Sequence, residues 1–436
     1  MARLRRLTRS PVAPLVLLAL VSLLSLGART AAIGSPCTSP CTTVNDHDMV
    51  FDEVYYVNAA RRIDGLPVPA GQHYSGDPAG QDPNSEHPQL AKLVIAGSIE
   101  LFDDGPFAWR LGSLIFGSLA ILGMFALVLA AGGTRWCALL AATLMACDNL
   151  LLVAGRIGTL DIYVVAFMIW AAVLYLRSRP LAAGVLLGIG ACTKEVAPYL
   201  LAVLVVFELG RLVWGRRLAL REAIASAARR FGVCVAATAG SYLALLALLD
   251  RLVPPFDPQT SRTITGGPIA HIEHMLSFAV ALTSPRGPTG IASYPWDWLV
   301  DLRPINYLTV TVNSRGSHVA TVHFLGFISP PILALAVPAL ALGLWRARGR
   351  GEAIDVIGVA WFLGTWLPFV ALSVIWSRTS YLYYMVIVMP GLYIAVARLM
   401  THPRVPRLVL WGWLVLVAAA AVVLYPFTAV PVPAGW

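Results

Sequence analysis

The sequence predicts an all-α, polytopic integral membrane protein with about eleven transmembrane helices and two long extracytoplasmic loops. Three observations carry this reading. First, 58% of the 436 residues are apolar and only 13% are charged, with a mean hydropathy of +0.73. A soluble domain carries about 25% charged residues, so this composition excludes an ordinary cytosolic enzyme and a disordered chain. Second, apolar runs of spanning length recur along the chain. Third, the net charge of +9 comes from basic residues set between those runs rather than on one soluble face. That is a topology signal and not a nucleic-acid footprint.

The apolar runs fall at about 12–33, 108–131, 136–153, 160–176, 180–192, 196–213, 231–252, 320–344, 354–375, 381–400 and 407–429. The 180–192 run is short, and 136–153 contains Asp148. Arg3, Arg5, Arg6 and Arg9 place the N-terminus in the cytoplasm. Alternate loops then carry Arg135; Arg177 and Arg179; Arg211, Arg216, Arg217, Arg221, Arg229 and Arg230; Arg346, Arg348 and Arg350; and Arg398, Arg404 and Arg407. Only Glu208, Glu222, Glu352 and Asp355 oppose them, so these loops read as cytoplasmic. Ala-Arg-Thr-Ala-Ala after the first run also fits a signal-peptide cleavage site. The next loop is external on either reading.

The chain therefore reads as one membrane-embedded domain, 1–436, with long external loops at 34–107 and 253–319. A transporter concentrates its polar residues at mid-membrane. Here they gather in the external loops and at the helix ends facing them. This favours an enzyme working at the outer surface on a lipid-borne substrate. The cytoplasmic loops hold no Walker or dinucleotide motif. Cys37 and Cys41, in Cys-Thr-Ser-Pro-Cys, can close a small disulfide. A zinc site there would need two more ligands, with His47, His73 and His87 the external histidines nearby. Cys137, Cys147, Cys192 and Cys234 lie in apolar runs and read as inert fillers.

The first external loop opens with adjacent carboxylates, Asp52 and Glu53, and Asp52 shares a helical face with Tyr55 and Tyr56. A carboxylate near a low-dielectric boundary can act as a base. It can also take a divalent cation through oxygen, although no clear further ligands follow and no metal site is assigned. The plain alternative is an acidic helix start. In Glu-His-Pro-Gln-Leu-Ala-Lys, His87 and Lys92 can face a phosphate; alternatively Lys92 snorkels from an interfacial helix. Arg110 stands at the mouth of the second span. Asp148, Asn149, Arg156 and Asp161 surround the next external turn, where Arg156 and Asp161 can pair. Lys194 and Glu195 interrupt an apolar run, as a structural ion pair or as part of a site. Arg110, Arg156 and Lys194 together can neutralise one lipid phosphate. Trp296, in Tyr-Pro-Trp-Asp-Trp, fits a membrane anchor or a sugar platform, and Arg378 fits a phosphate ligand or an interfacial marker.

The order of these motifs resembles a family. Asp-Glu follows the first span, His-Pro-x-Leu-x-Lys lies in the same loop, and Trp-Arg-Leu opens the second span. Asp-Asn-x5-Gly-Arg-x4-Asp, Thr-Lys, Tyr-Pro-Trp-x-Trp and Arg-x-x-Tyr-Leu-Tyr follow, over residues ~50 to ~400. The sequence resembles the protein O-mannosyltransferases, the dolichyl-phosphate-mannose-protein mannosyltransferase group of the GT-C superfamily. The resemblance implies inverting transfer of a mannosyl (hexosyl) residue from a polyprenyl-phosphate donor to Ser/Thr hydroxyls of exported proteins. It implies Asp52 as the base and Glu53 as its orienting neighbour. Arg110 then holds the donor phosphate, Arg156, Asp161 and Lys194 line the same cavity, and His87 and Lys92 lie near the acceptor.

The partners implied are a polyprenyl-phosphate-sugar lipid, an exported protein or glycan acceptor and the surrounding membrane lipid, with no nucleic acid. Three departures bear on the acceptor. Gln89 replaces a second proline, Tyr384 stands where the late motif carries histidine, and 253–319 is too short for a large soluble insert. The missing insert points to a bacterial plasma membrane. Relatives that move aminoarabinose or other sugars to lipid or glycan acceptors supply the alternative function.

Overall fold

The computed structural model describes residues 12–37, 40–214, 220–314, 317–427 and 430–431. Arg3, Arg5, Arg6, Arg9, Arg216 and Arg217, used above to orient the chain, lie outside these. Each expected apolar run carries a helix: α1 (Ala13–Thr30), α4 (Pro106–Ala130), α5 (Arg135–Cys147), α6 (Asn149–Ala154), α7 (Asp161–Leu176), α8 (Pro180–Ala191), α9 (Tyr199–Trp214), α10 (Leu220–Leu252), α12 (Pro330–Leu333), α13 (Ala336–Arg350), α14 (Ala353–Trp376), α15 (Met385–Met400) and α16 (Arg407–Val423). Two further helices, α2 (Glu53–Ile63) and α3 (Leu90–Phe102), lie in the first long loop, and α11 (Gly267–Ala281) lies in the second. Among the described residues, 6 helical segments are long and apolar enough to cross a membrane. At 1.5 Å per residue, the shorter helices fall below the ~30 Å hydrocarbon core.

Local chemistry sets the boundaries. Proline opens α4, α8 and α12, where a missing N–H costs nothing. The Thr134 hydroxyl accepts from Cys137 N at the start of α5. Asp148 divides the expected 136–153 span. Its carboxylate accepts from Leu150 N at 2.9 Å, ending α5 and capping α6. Gly184 and Gly188 let α8 lie directly on α10: a Cβ at Gly184 would stand 2.3 Å from the Cys234 carbonyl oxygen. Large apolar side chains such as Leu23, Leu24, Trp345, Val374 and Leu408 point outward, as a lipid-facing surface requires.

The helical picture needs one correction. The apolar run at 320–344 begins as a strand and not as a helix. β3 (Ile305–Ser314) and β4 (Ser317–Gly326) form a long antiparallel hairpin, and β5 (Val430–Pro431) pairs with β4. Their sequences are rich in Val and Thr and alternate, so a pleated ladder suits them better than a helix. A small pair, β1 (Phe256–Asp257) and β2 (Arg262–Thr263), sits earlier in the same loop.

The connections expected to be external all meet at one end of the bundle. Arg156 reaches the carbonyls ending α1, and Lys194 reaches Asp161. His87 reaches Glu195, and Gln89 reaches Asp250. Thr283 bridges to Arg378. Arg230 with Glu208, and Arg346 and Arg398 with Asp355, pair among the connections expected to be cytoplasmic.

Candidate active site

Asp52 and Glu53 are neighbours in sequence with opposite environments. Glu53 begins α2 and is fully buried. Its carboxylate accepts from Val50 N (2.7 Å), Gly158 N (2.7 Å), Arg110 Nε (2.8 Å) and Arg110 Nη2 (2.8 Å). Gly158 must be glycine for this approach, because a Cβ there would stand 2.8 Å from the Trp109 carbonyl oxygen. Asp52, one residue earlier, is half-buried, and its carboxylate has no hydrogen-bond partner among the described residues. Burial pushes its pKa up to about 6; Asp161 and Glu86 add to the shift while Lys194 and His87 oppose it. Phe51 holds the turn before it at φ 56°, a left-handed conformation that costs a bulky residue about 1–3 kcal/mol. Its ring is seated against Tyr307 (4.5 Å between centroids) and Tyr383 (5.6 Å).

Two ion pairs flank Asp52. Lys194 Nζ meets Asp161 Oδ1 at 2.7 Å, and His87 Nδ1 meets Glu195 Oε2 at 2.8 Å. Lys194 and Glu195 therefore do not pair with each other; each binds a different element. Asp161 begins α7 and pairs with Lys194 instead of Arg156. Burial alone would push Glu195 up, but facing His87 and Lys194 outweigh it and hold its carboxyl down at about 2. Lys194 Nζ lies 5.3 Å from the Tyr383 ring centroid, a cation–π contact. Tyr56 is buried beside His87, with ring centroids 6.1 Å apart. Arg378 donates through Nη1 to the carbonyls of Leu282 and Thr379. Its Nε and Nη2 have no protein partner among the described residues, and its charge reaches Tyr381 and Tyr384.

Three sequence expectations change here, for Arg110, Arg156 and Lys92. Arg110, expected on the donor phosphate, is fully buried with all five N–H donors engaged. Besides Glu53 it serves the carbonyls of Ile33, Ser35 and Asp48, so no donor is left for a ligand. Arg156 donates to the carbonyls of Arg29, Ala31 and Ala32, where a cation offsets the negative end of α1. Lys92 neither snorkels nor faces a cavity. Its ammonium is fully buried against Asp82 (2.5 Å) and donates to the carbonyls of Asn84 and His87. Trp296 is 41% exposed and stacks on Tyr294, while Trp298 is buried and donates to Ser293 Oγ.

Lys92 thus holds the 82–87 loop that presents His87. Lys92→Met strands the Asp82 carboxylate and is expected to destabilise the protein by about 3 kcal/mol, measured as thermal unfolding in detergent. Gln89, the residue departing from the family pattern, is also structural: its amide donates to Asp250 Oδ1 at 2.8 Å and to the Val253 carbonyl.

Sequence reading missed Tyr307, Tyr383 and Tyr384, which wall the site, and Asp82. The Tyr-Leu-Tyr-Tyr run was the available signal for two of them. Cys37 and Cys41 are joined in a disulfide, with His47 beside it. Cys137, Cys192 and Cys234 are buried free thiols, and Cys147 is partly buried.

The sequence profile of the dolichyl-phosphate-mannose-protein mannosyltransferase family matches residues 86–242. A polyprenol-phosphate-mannose–protein mannosyltransferase of Corynebacterium glutamicum is 25% identical over 361 residues, covering 70% of this chain and 68% of the relative. In structure, the Saccharomyces cerevisiae protein O-mannosyltransferase Pmt1–Pmt2 complex bound to the sugar donor matches with TM-score 0.67 and 12% identity. The match covers 98% of this chain and 92% of that one. ArnT of Cupriavidus metallidurans bound to undecaprenyl phosphate matches with TM-score 0.54 and 19% identity, over 96% and 76% of the two chains. The chain thus shares the fold of these two solved structures and, over residues 86–242, the sequence profile of the mannosyltransferase family, and these likenesses support a glycosyltransferase.

Proposed function

We propose that the protein transfers a mannosyl residue from a polyprenyl-phosphate donor to Ser/Thr hydroxyls of exported proteins, at the extracytoplasmic face of a bacterial plasma membrane. The observation that carries this reading is Asp52, a half-buried carboxylate without a hydrogen-bond partner among the described residues, flanked by Lys194 and His87. A base needs a carboxylate that is ionised at working pH and not spent on a structural bond. Asp52 meets that condition and Glu53 does not. In the step, Asp52 takes the proton of the acceptor hydroxyl. The acceptor oxygen forms its bond to the anomeric carbon as the bond from that carbon to the phosphate oxygen breaks. The configuration inverts, and polyprenyl phosphate leaves with the electron pair. Phosphate is a competent leaving group once its charge is met, so positioned cations serve in place of a proton donor.

Lys194 and Arg378 are the cations suited to that charge: Lys194, paired with Asp161, lies close enough to act on Asp52, whereas Arg110 has every donor engaged and Arg156 turns its Nη groups to the carbonyls ending α1. Arg378 offers three N–H donors, on Nε and Nη2, that bond no described residue, and Lys194 a point charge. Arg378→Ala is expected to raise the KM for the lipid donor about 10- to 100-fold, with folding intact. An unchanged donor KM would remove Arg378 from the phosphate site. The ArnT likeness, in a structure described with undecaprenyl phosphate, favours a second reading: the same machinery with another polyprenyl-phosphate sugar, or with a lipid or glycan acceptor. Peptide mass spectrometry of exported proteins separates the two. Hexose on Ser/Thr that disappears in cells carrying Asp52→Asn is the expected result. An unchanged glycoproteome, with the variant properly inserted, would move the acceptor to lipids or cell-wall glycans.

A further inference from the structure

The hairpin leaves one strand edge open beside Asp52. The sheet order is β3-β4-β5, so β3 pairs on one side only. No backbone hydrogen bond from another described segment covers its other side. Exposed edges of this length are usually blocked by charge or proline. The ten residues of β3, Ile-Asn-Tyr-Leu-Thr-Val-Thr-Val-Asn-Ser, contain neither. The edge also begins at the site. The register passes from Asn306↔Leu325 to Leu308↔Phe324, leaving Tyr307 as the extra residue of a bulge. Tyr307 is nearly buried, its ring packs on Phe51 at 4.5 Å, and both Asp161 and Asp52 act on its hydroxyl. A second shift follows between Leu308 and Thr309, where His323 is the extra residue on β4; from Thr309↔Val322 onward the ladder is regular, and Thr309 and Thr311 are exposed.

We propose that the acceptor polypeptide binds as an added antiparallel or parallel strand on the open edge of β3, main chain to main chain, and passes Tyr307 to bring its hydroxyl to Asp52. This rests on the protein-acceptor reading above and specifies how that acceptor is held. Pairing through backbone N–H and C=O groups selects an extended, unfolded segment and is nearly indifferent to side chains.

The test uses the purified full-length protein in detergent, its lipid donor and an extended Ser/Thr acceptor peptide. Single N-methyl groups are placed on successive peptide amides. Alternate N–H groups of a strand face its neighbour. N-methylation should therefore raise the peptide KM about tenfold at every second position and leave kcat and the intervening positions unchanged. Thr309→Cys and Thr311→Cys should each capture a cysteine-bearing acceptor peptide as a mixed disulfide, while Thr260→Cys in the β1–β2 turn should not. Uniform tolerance of N-methylation, sensitivity without alternation, or capture at Thr260 equal to that at Thr309 would overturn the edge and leave the protein acceptor standing. Dimers of the Thr309→Cys protein formed in place of peptide capture would assign the edge to a second copy and overturn the proposal. Absence of transfer to every peptide, with transfer to a lipid or glycan, would overturn this proposal and the protein-acceptor reading together.

Discussion

Asp52→Asn is expected to lower kcat by about 100- to 10,000-fold, the range a lost general base produces, while the protein still folds and inserts. The fold should survive because the Asp52 carboxylate makes no hydrogen bond among the described residues, and asparagine keeps its shape. The wild-type pH profile carries the same information. Asp52 acts only when ionised, and burial sets its pKa to about 6. The rate should be flat above that pH and fall tenfold per unit below it. A variant with full activity, or a rate that rises as pH falls, would remove Asp52 as the base. Asp52→Glu separates charge from position: it restores a carboxylate about one methylene too far along. Its recovery should be partial at best.

The second large effect lies next door. Glu53→Gln or Arg110→Met leaves a fully buried charge without its partner, a loss of about 3–5 kcal/mol. Arg110 also gathers the carbonyls of Ile33, Ser35 and Asp48 around the end of α1. Each single variant should therefore lower the thermal midpoint in detergent. The double variant should lose less than the sum of the two, because the second change removes the stranded charge. Residual folded enzyme should keep its donor KM. A stable Arg110→Met protein with a selectively raised donor KM would return Arg110 to the phosphate site.

The helical membrane fold and its gathering of polar loops at one end were legible because apolar run length and basic loops report the bilayer directly. Asp52 was legible as one of an acidic pair. Which member of the pair stays open was not, because that depends on what lies across the fold. Helical phase turns Glu53 toward Arg110 and Gly158, which are distant in sequence. The same blindness affected Arg110, Arg156 and Lys92. Sequence shows where a cation sits, while the carbonyls and carboxylates that take up its donors come from tertiary contacts. Lys194 and Glu195 looked like a pair because they adjoin, yet their side chains diverge to Asp161 and His87. The β3–β4 hairpin was readable and was overshadowed. Val319, Thr321 and His323 alternate with Ala320, Val322 and Phe324 after the polar sequence Asn-Ser-Arg-Gly-Ser, but the apolar run continuing to residue 344 masked the period of two.

The most direct test of the central claim is a single-turnover assay with purified protein, a defined polyprenyl-phosphate-mannose and a Ser/Thr peptide, run from pH 4.5 to 8 on the wild type and Asp52→Asn. The expected result is a glycopeptide whose anomeric configuration is opposite to that of the donor, formed with an apparent pKa near 6 in the wild type and nearly absent in the variant. Transfer by Asp52→Asn at the wild-type rate, or a product retaining the donor's configuration, would contradict direct displacement with Asp52 as the base.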